Sequence, residues 1–139
     1  MKIDQEFVVG RSRADVIHSL DRDETFASMF PDTHVRSLGE HARETQTPYP
    51  GPGRAREIRF VFHTAPDGNV RFEKICDGNI WRSLEGEVRL EPVDDRMTRV
   101  VLTMEGRTRA FVPELTIRVP MRDQIGQMAK ALRSILETD

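Results

Sequence analysis

Hydrophobic residues recur along this chain with two periods, and the change of period divides it. From Glu57 to Met104 they alternate with polar residues. Ile58, Phe60 and Phe62 fall on one side, with Glu57, Arg59 and His63 on the other. Val70, Phe72 and Cys76 oppose Arg71, Glu73 and Asp77, and Ile80, Leu84, Val88 and Leu90 oppose Ser83, Glu85, Glu87 and Arg89. Val100, Leu102 and Met104 complete the series. Such alternation predicts antiparallel strands with one packed face and one solvated face. Turn-forming clusters at Pro48–Gly53, Pro66–Asn69, Asp77–Asn79 and Pro92–Asp95 separate the runs. Five hairpin-linked strands are therefore expected between Thr33 and about Thr108.

Ahead of this region, Ile3 to Val9 reads as a strand ending at Gly10. Ser12-Arg13-Ala14-Asp15 has the spacing of a capping box, opening a short helix with Val16, Ile17 and Leu20 on one face. Asp21 and Asp23 are placed to cap a second short helix carrying Phe26, Met29 and Phe30, which Pro31 ends. After the strands the period lengthens. Met121, Ile125, Met128, Leu132 and Ile135 are spaced by four, three, four and three residues, the stripe of an amphipathic helix from about 120 to 137. Pro120 suits its first turn. Pro113 to Val119 reads two ways: Leu115, Ile117 and Val119 alternate like a strand, yet Pro113 could open a helix kinked at Pro120. The sheet's apolar face needs a cover, and only the final helix is long enough. The expected architecture is α+β: a curved antiparallel sheet of six or seven strands around a long C-terminal helix, with two short helices after the first strand.

Length and composition narrow the picture without changing it. The 139 residues fit one domain, and no linker, repeat or low-complexity tract divides residues 1–139. Hydrophobic residues at 37% and charged ones at 32% belong to a globular chain. A net charge of −2 argues against a general nucleic-acid or anionic-membrane binder. No stretch reaches the roughly 20 apolar residues of a membrane span. Neither does the N-terminal segment resemble a signal peptide, so a cytoplasmic address is expected. Lysine occurs only at Lys2, Lys74 and Lys130, the other basic residues being arginine. That preference fits anion recognition or codon bias. Cys76 is the single cysteine, which excludes an intrachain disulfide and a cysteine zinc site.

The order of elements resembles the START-like or SRPBCC superfamily of helix-grip proteins, in particular its polyketide cyclase/dehydrase and coenzyme Q-binding branch. The likeness rests on Phe30-Pro31 after the paired short helices and on Asp77-Gly78-Asn79-Ile80-Trp81-Arg82 leading into Leu84 to Pro92. Thr98-Arg99-Val100 and Val112-Pro113-Glu114-Leu115 extend it over nearly the whole chain. What the resemblance implies is an internal cavity for a hydrophobic small molecule, such as a lipid, isoprenoid quinone or polyketide-like compound. It carries over no catalytic residue.

Local chemistry is sparse. His18, His34, His41 and His63 form no pair with metal-ligand spacing, so no metal site is expected, and no segment implies a cofactor. Gly51-Pro52-Gly53 reads as a turn rather than a phosphate loop, and Glu85 and Glu87 as solvated carboxylates. Arg82 stands out, because strict alternation with Ile80, Leu84 and Val88 points it inward. A buried arginine needs a carboxylate or a bound anion, and here it could orient a ligand's polar head. A bulge around Gly86, or snorkelling at a cavity mouth, would turn it out instead. Lys74 carries the same ambiguity. The candidate lining is Phe60, Phe62, Phe72, Arg82, Leu84, Leu102, Met104, Met121, Ile125 and Met128, with the methionines supplying either pliable wall or simple core. Binding or carriage of a hydrophobic small molecule is the leading expectation, with that molecule as the only partner. A cyclase, aromatase or dehydratase using Tyr49, His41 or Arg82 is the alternative, and a protein- or ribosome-interaction module is a third reading.

Overall fold

The computed structural model describes residues 1–49, 56–76 and 81–138. Among them, one antiparallel sheet runs β1-β7-β6-β5-β4-β3-β2. Its strands are β1 (Lys2–Val9), β2 (His34–Gly39), β3 (Ala42–Tyr49), β4 (Arg56–Thr64), β5 (Val70–Lys74), β6 (Trp81–Asp94) and β7 (Met97–Thr108). Helices α1 (Arg13–Leu20) and α2 (Asp23–Ala27) carry the chain from β1 at one edge to β2 at the other. A meander of neighbouring strands then returns to pair β7 with β1. A 3₁₀ turn over Glu114–Ile117 runs directly into α3 (Arg118–Thr138). This is the helix-grip architecture: a sheet holding one long helix. The turns expected at Gly51-Pro52-Gly53 and Asp77–Asn79, and the inward placement of Ile80, lie outside the described residues.

Two local expectations change. The first meander strand is two, split by a turn after Gly39, because β3 does not follow the apolar pattern: its inward positions are Arg43, Thr45 and Thr47, opposite Phe62, Phe60 and Ile58. Asp21 and Asp23 do not cap α2, whose N-cap is Arg22 without a side-chain hydrogen bond; their carboxylates face Arg43 instead. Of the two readings of residues 113–119, the helical one holds: Pro113 is the extended cap, and Glu114 onward is helical. Elsewhere the signals hold: Ser12 Oγ accepts from the Asp15 N–H at 3.2 Å and starts α1.

The long helix packs with a bias. Met121, Ile125, Met128 and Leu132 are buried as expected, and the stripe ends on Leu136 rather than Ile135. The α3 backbone approaches the sheet chiefly along β1. There Gly126 lies beside the Gln5 amide, which a Cβ would meet at 3.5 Å in ordinary contact. At the far end Arg11 ties the helix down, donating to the Leu136 carbonyl at 3.1 Å and to Ser19 Oγ at 2.7 Å. Over the central strands, side chains alone bridge the gap. Phe26, Phe60, Phe62 and Phe72 form one ring cluster with centroids 4.6–6.1 Å apart.

Two glycines make floor space for aromatic rings. A Cβ on Gly86 would lie 2.3 Å from the Phe72 ring and 2.4 Å from the Thr103 carbonyl oxygen. On Gly106 it would lie 2.5 Å from the Trp81 ring and 3.3 Å from Met121 Sδ. A side chain can swing aside, but the Thr103 carbonyl belongs to the β6–β7 ladder. Gly86→Ala is therefore expected to cost about 2 kcal/mol or more, in the range of overpacked cores. Urea unfolding of the two proteins measures it, and an unchanged midpoint would show that the ring and strand yield freely.

Candidate functional site

The inward face of the sheet and the buried stripe of α3 bring most of the expected lining residues together. Phe60, Phe62, Phe72, Leu84, Leu102 and Met104 meet Met121, Ile125 and Met128 across the layer, each no more than 3% exposed. A hollow wide enough for a guest would leave accessible area on such side chains. They have almost none, so the layer is closed, its volume taken by their own rings and thioethers.

Arg82 is not among them. It is exposed, and the reason is a bulge: Trp81 pairs with Thr108 and Ser83 with Arg107, leaving Arg82 as the extra residue. The irregularity lies at Arg82 itself, upstream of Gly86. It turns Trp81 inward to 7% exposure and sends both Arg82 and Ser83 to the outside. Lys74 takes the inward position expected of a cation. It sits opposite the inward Phe60, half-buried, with Nζ 5.7 Å from the Trp81 ring centre.

The buried arginine is instead Arg43, 4% exposed on β3. Its Nη2 donates to Asp21 Oδ1 at 2.9 Å, and its guanidinium lies 4.7 Å from the centre of the Phe26 ring. Asp23 Oδ1 is 3.1 Å from Nε but out of line for a hydrogen bond, and Nη1 has no acceptor among the described residues. Partial burial alone would raise the Asp21 carboxyl. The Arg43 hydrogen bond, then that of His41 at 3.1 Å, outweigh it and hold the group below its ordinary 3.8. The clasp joins the α1–α2 corner to the sheet, and a hydroxyl pair, Thr33 with Thr47 at 2.8 Å, reinforces it. Apolar periodicity missed Arg43 because its strand shows none. The usable signal was the pair Asp21 and Asp23 beside a short helix, two carboxylates in search of a cation.

Of the groups nominated for chemistry, His41 is exposed and engaged with Asp21, Arg82 faces outward, and the Tyr49 side chain lies outside the described residues. Glu85 and Glu87 are on the outer face, in a depression of about 460 Å³ that also takes in Lys2, Arg71 and Glu73. Cys76 is half-buried, its Sγ 3.5 Å from the Lys74 carbonyl. Among the described residues, no three His, Cys, Asp or Glu side chains are grouped to hold a metal ion. No described helix is long and apolar enough to cross a membrane.

Comparison with solved structures finds the same helix-grip fold in other proteins. A START superfamily protein from Mycobacterium smegmatis superposes with a TM-score of 0.75 at 12% identity, covering 98% of this chain and 97% of that one. Norcoclaurine synthase from Thalictrum flavum, solved with dopamine and hydroxybenzaldehyde, gives 0.74 at 14% identity, covering 100% and 88%. The Zhui aromatase/cyclase from a Streptomyces species gives 0.73 at 16%, covering 98% and 90%. No protein-family model matches the sequence, and no curated protein does either. At these identities the likeness is one of fold.

The clasp carries a pH signature. Because the folded value of Asp21 is depressed, its contribution is complete above about pH 3.8 and is lost as pH falls through the lower folded value. Asp21→Asn is expected to cost about 1–2 kcal/mol at neutral pH, a buried-pair loss discounted for the partial exposure of Asp21. The gap between the two proteins should shrink from neutral pH to a pH well below 3.8, as protonation removes the Asp21 charge from the native protein as well. Urea midpoints at the two pH values report it. A gap independent of pH would assign the loss to packing rather than charge.

Proposed function

We propose that the chain binds a hydrophobic small molecule between the sheet and α3. The observation that supports this reading most is the make-up of the layer itself. Backbone approach is concentrated along β1, and over β4 to β6 the two layers are joined by Phe, Trp and Met side chains. Met104, Met121 and Met128 are unbranched and adapt to varied shapes. The rings of Phe72 and Trp81 rest on Gly86 and Gly106 and can swing without dislodging a strand. A guest enters by replacing these contacts with its own. The inward polar groups, Arg43 on β3 and Lys74 on β5, sit at the edges of an apolar field, the pattern of pockets that grip an oily ligand and orient one polar end.

Binding without chemistry is the reading carried forward, because His41 and Arg82 lie off this layer. The aromatase/cyclase and synthase neighbours act on small organic molecules in the same fold, which favours an aromatic or polyketide-like guest over a long acyl chain.

Organic extraction of freshly purified protein, followed by mass spectrometry, should yield a stoichiometric apolar compound. Titration with 1-aminoanthracene should saturate at one equivalent, and Met121→Trp and Met128→Trp, which fill the layer, should each weaken it at least tenfold. An empty extract together with non-saturable titration of the native protein would end the proposal.

A further inference from the structure

One end of the molecule shows large apolar side chains to solvent. Phe111, Leu115 and Val119 are 83%, 73% and 64% exposed, the three highest values among the large exposed hydrophobics. They are displayed rather than loose. Thr108 Oγ1 donates to the Val112 carbonyl at 2.7 Å and the Val112 N–H to the Arg109 carbonyl at 2.9 Å, forming the turn that carries Phe111. Ile117 and Met121, both fully buried, pin the helical segment that follows. With about 100° between successive helical residues, Val119 and Arg122 turn away from those two anchors and Arg118 flanks them, while Leu115 projects from the preceding 3₁₀ turn.

Charge identifies what covers this surface. Between positions 107 and 123 stand four arginines, Arg107, Arg109, Arg118 and Arg122, all exposed, against Glu114 and Asp123. Glu114 already faces the N-terminal ammonium at 3.7 Å. The segment is cationic on a chain whose net charge is −2. Three protruding side chains fall well short of the roughly 800 Å² per partner that a stable protein interface takes. An anionic lipid surface needs no such area: a few apolar side chains enter the acyl boundary while arginines meet the phosphates.

The geometry points to the β7–α3 connection as a docking site for an anionic membrane surface, with Phe111, Leu115 and Val119 inserting and Arg118 and Arg122 contacting lipid phosphate. This site stands on exposed residues only and does not depend on a guest in the interior.

Cosedimentation with vesicles of phosphatidylcholine containing about 30 mol% phosphatidylserine tests it. The full chain should bind these vesicles and bind pure phosphatidylcholine at least tenfold more weakly. Phe111→Ser/Leu115→Ser/Val119→Ser should lose at least tenfold toward the anionic vesicles, and Arg118→Gln/Arg122→Gln several-fold, with less sensitivity to salt. Phe111→Trp gives a direct reading: fluorescence attributable to the new indole, taken as the difference from native protein, should shift to the blue on anionic vesicles. No binding to anionic vesicles, an unshifted difference signal from the Phe111→Trp protein, or a triple-serine variant that binds as the native chain does would overturn the site. So would sedimentation velocity showing a native dimer that the triple variant dissolves, since a second copy would then be the occupant.

Discussion

The interior of this protein is set by where α3 is allowed to touch the sheet. The α3 backbone runs chiefly along β1, and Arg11 fastens the Leu136 carbonyl near its C-terminus, so the helix lies toward one edge of a seven-stranded sheet. Over the central strands α3 then leaves a gap that its backbone does not fill. Large side chains fill it, and two of the rings need glycine beneath them. That is why the inward face of the sheet combines Phe60, Phe62, Phe72 and Trp81 with Gly86 and Gly106: the rings supply volume, and the missing Cβ atoms supply the floor. A solid interior and a yielding one are built from the same residues here.

This closed layer bears directly on affinity. If the packed arrangement dominates, a guest binds only the fraction of molecules that has opened, and its apparent affinity falls by that fraction. A layer of aliphatic branches would make the opening costly, since interdigitated branched chains have few alternative rotamers. Thioethers and rings hinged over glycine lower that cost, because their contacts are non-directional and the incoming molecule replaces them. Nothing polar is stranded when the layer opens, since Arg43 keeps Asp21 whether or not a guest is present.

Legibility in the sequence followed the distribution of apolar residues. The α3 stripe, the later strands and the capping Ser12 could be read because each element buries one face and announces it by period or by cap. The β2–β3 hairpin could not, since β3 turns Arg43, Thr45 and Thr47 toward the α1–α2 corner and binds it by ion pair and hydroxyls rather than by oil. Arg82 failed for a different reason. Alternation is an argument about phase, and a single bulge shifts the phase for every residue before it. The residue that would have exposed the slip is Trp81, too large and apolar to face water beside an arginine that prefers it. The inward positions were accordingly legible apart from Arg82, while the packing between the layers depends on Gly86 and Gly106 in positions that sequence reads only as strand weakening.

Net charge was a poor guide to surfaces for a related reason. A value of −2 averages an outer sheet face carrying Glu73, Glu85 and Glu105 in register against four arginines between the end of β7 and the first turns of α3. Like charges directly opposite one another on a sheet are unfavourable, so this acidic row acts against stability and favours keeping the sheet's back in water. The arginines and exposed apolar side chains begin where this row ends, beside the N-terminus of α3 and the bulge that holds Arg82, with Arg107 two residues along β7 from Glu105. A molecule polarised in this way presents one end to an anionic surface and keeps its acidic sheet face in solution. The end it presents is the one where Trp81 and Met121 meet over Gly106.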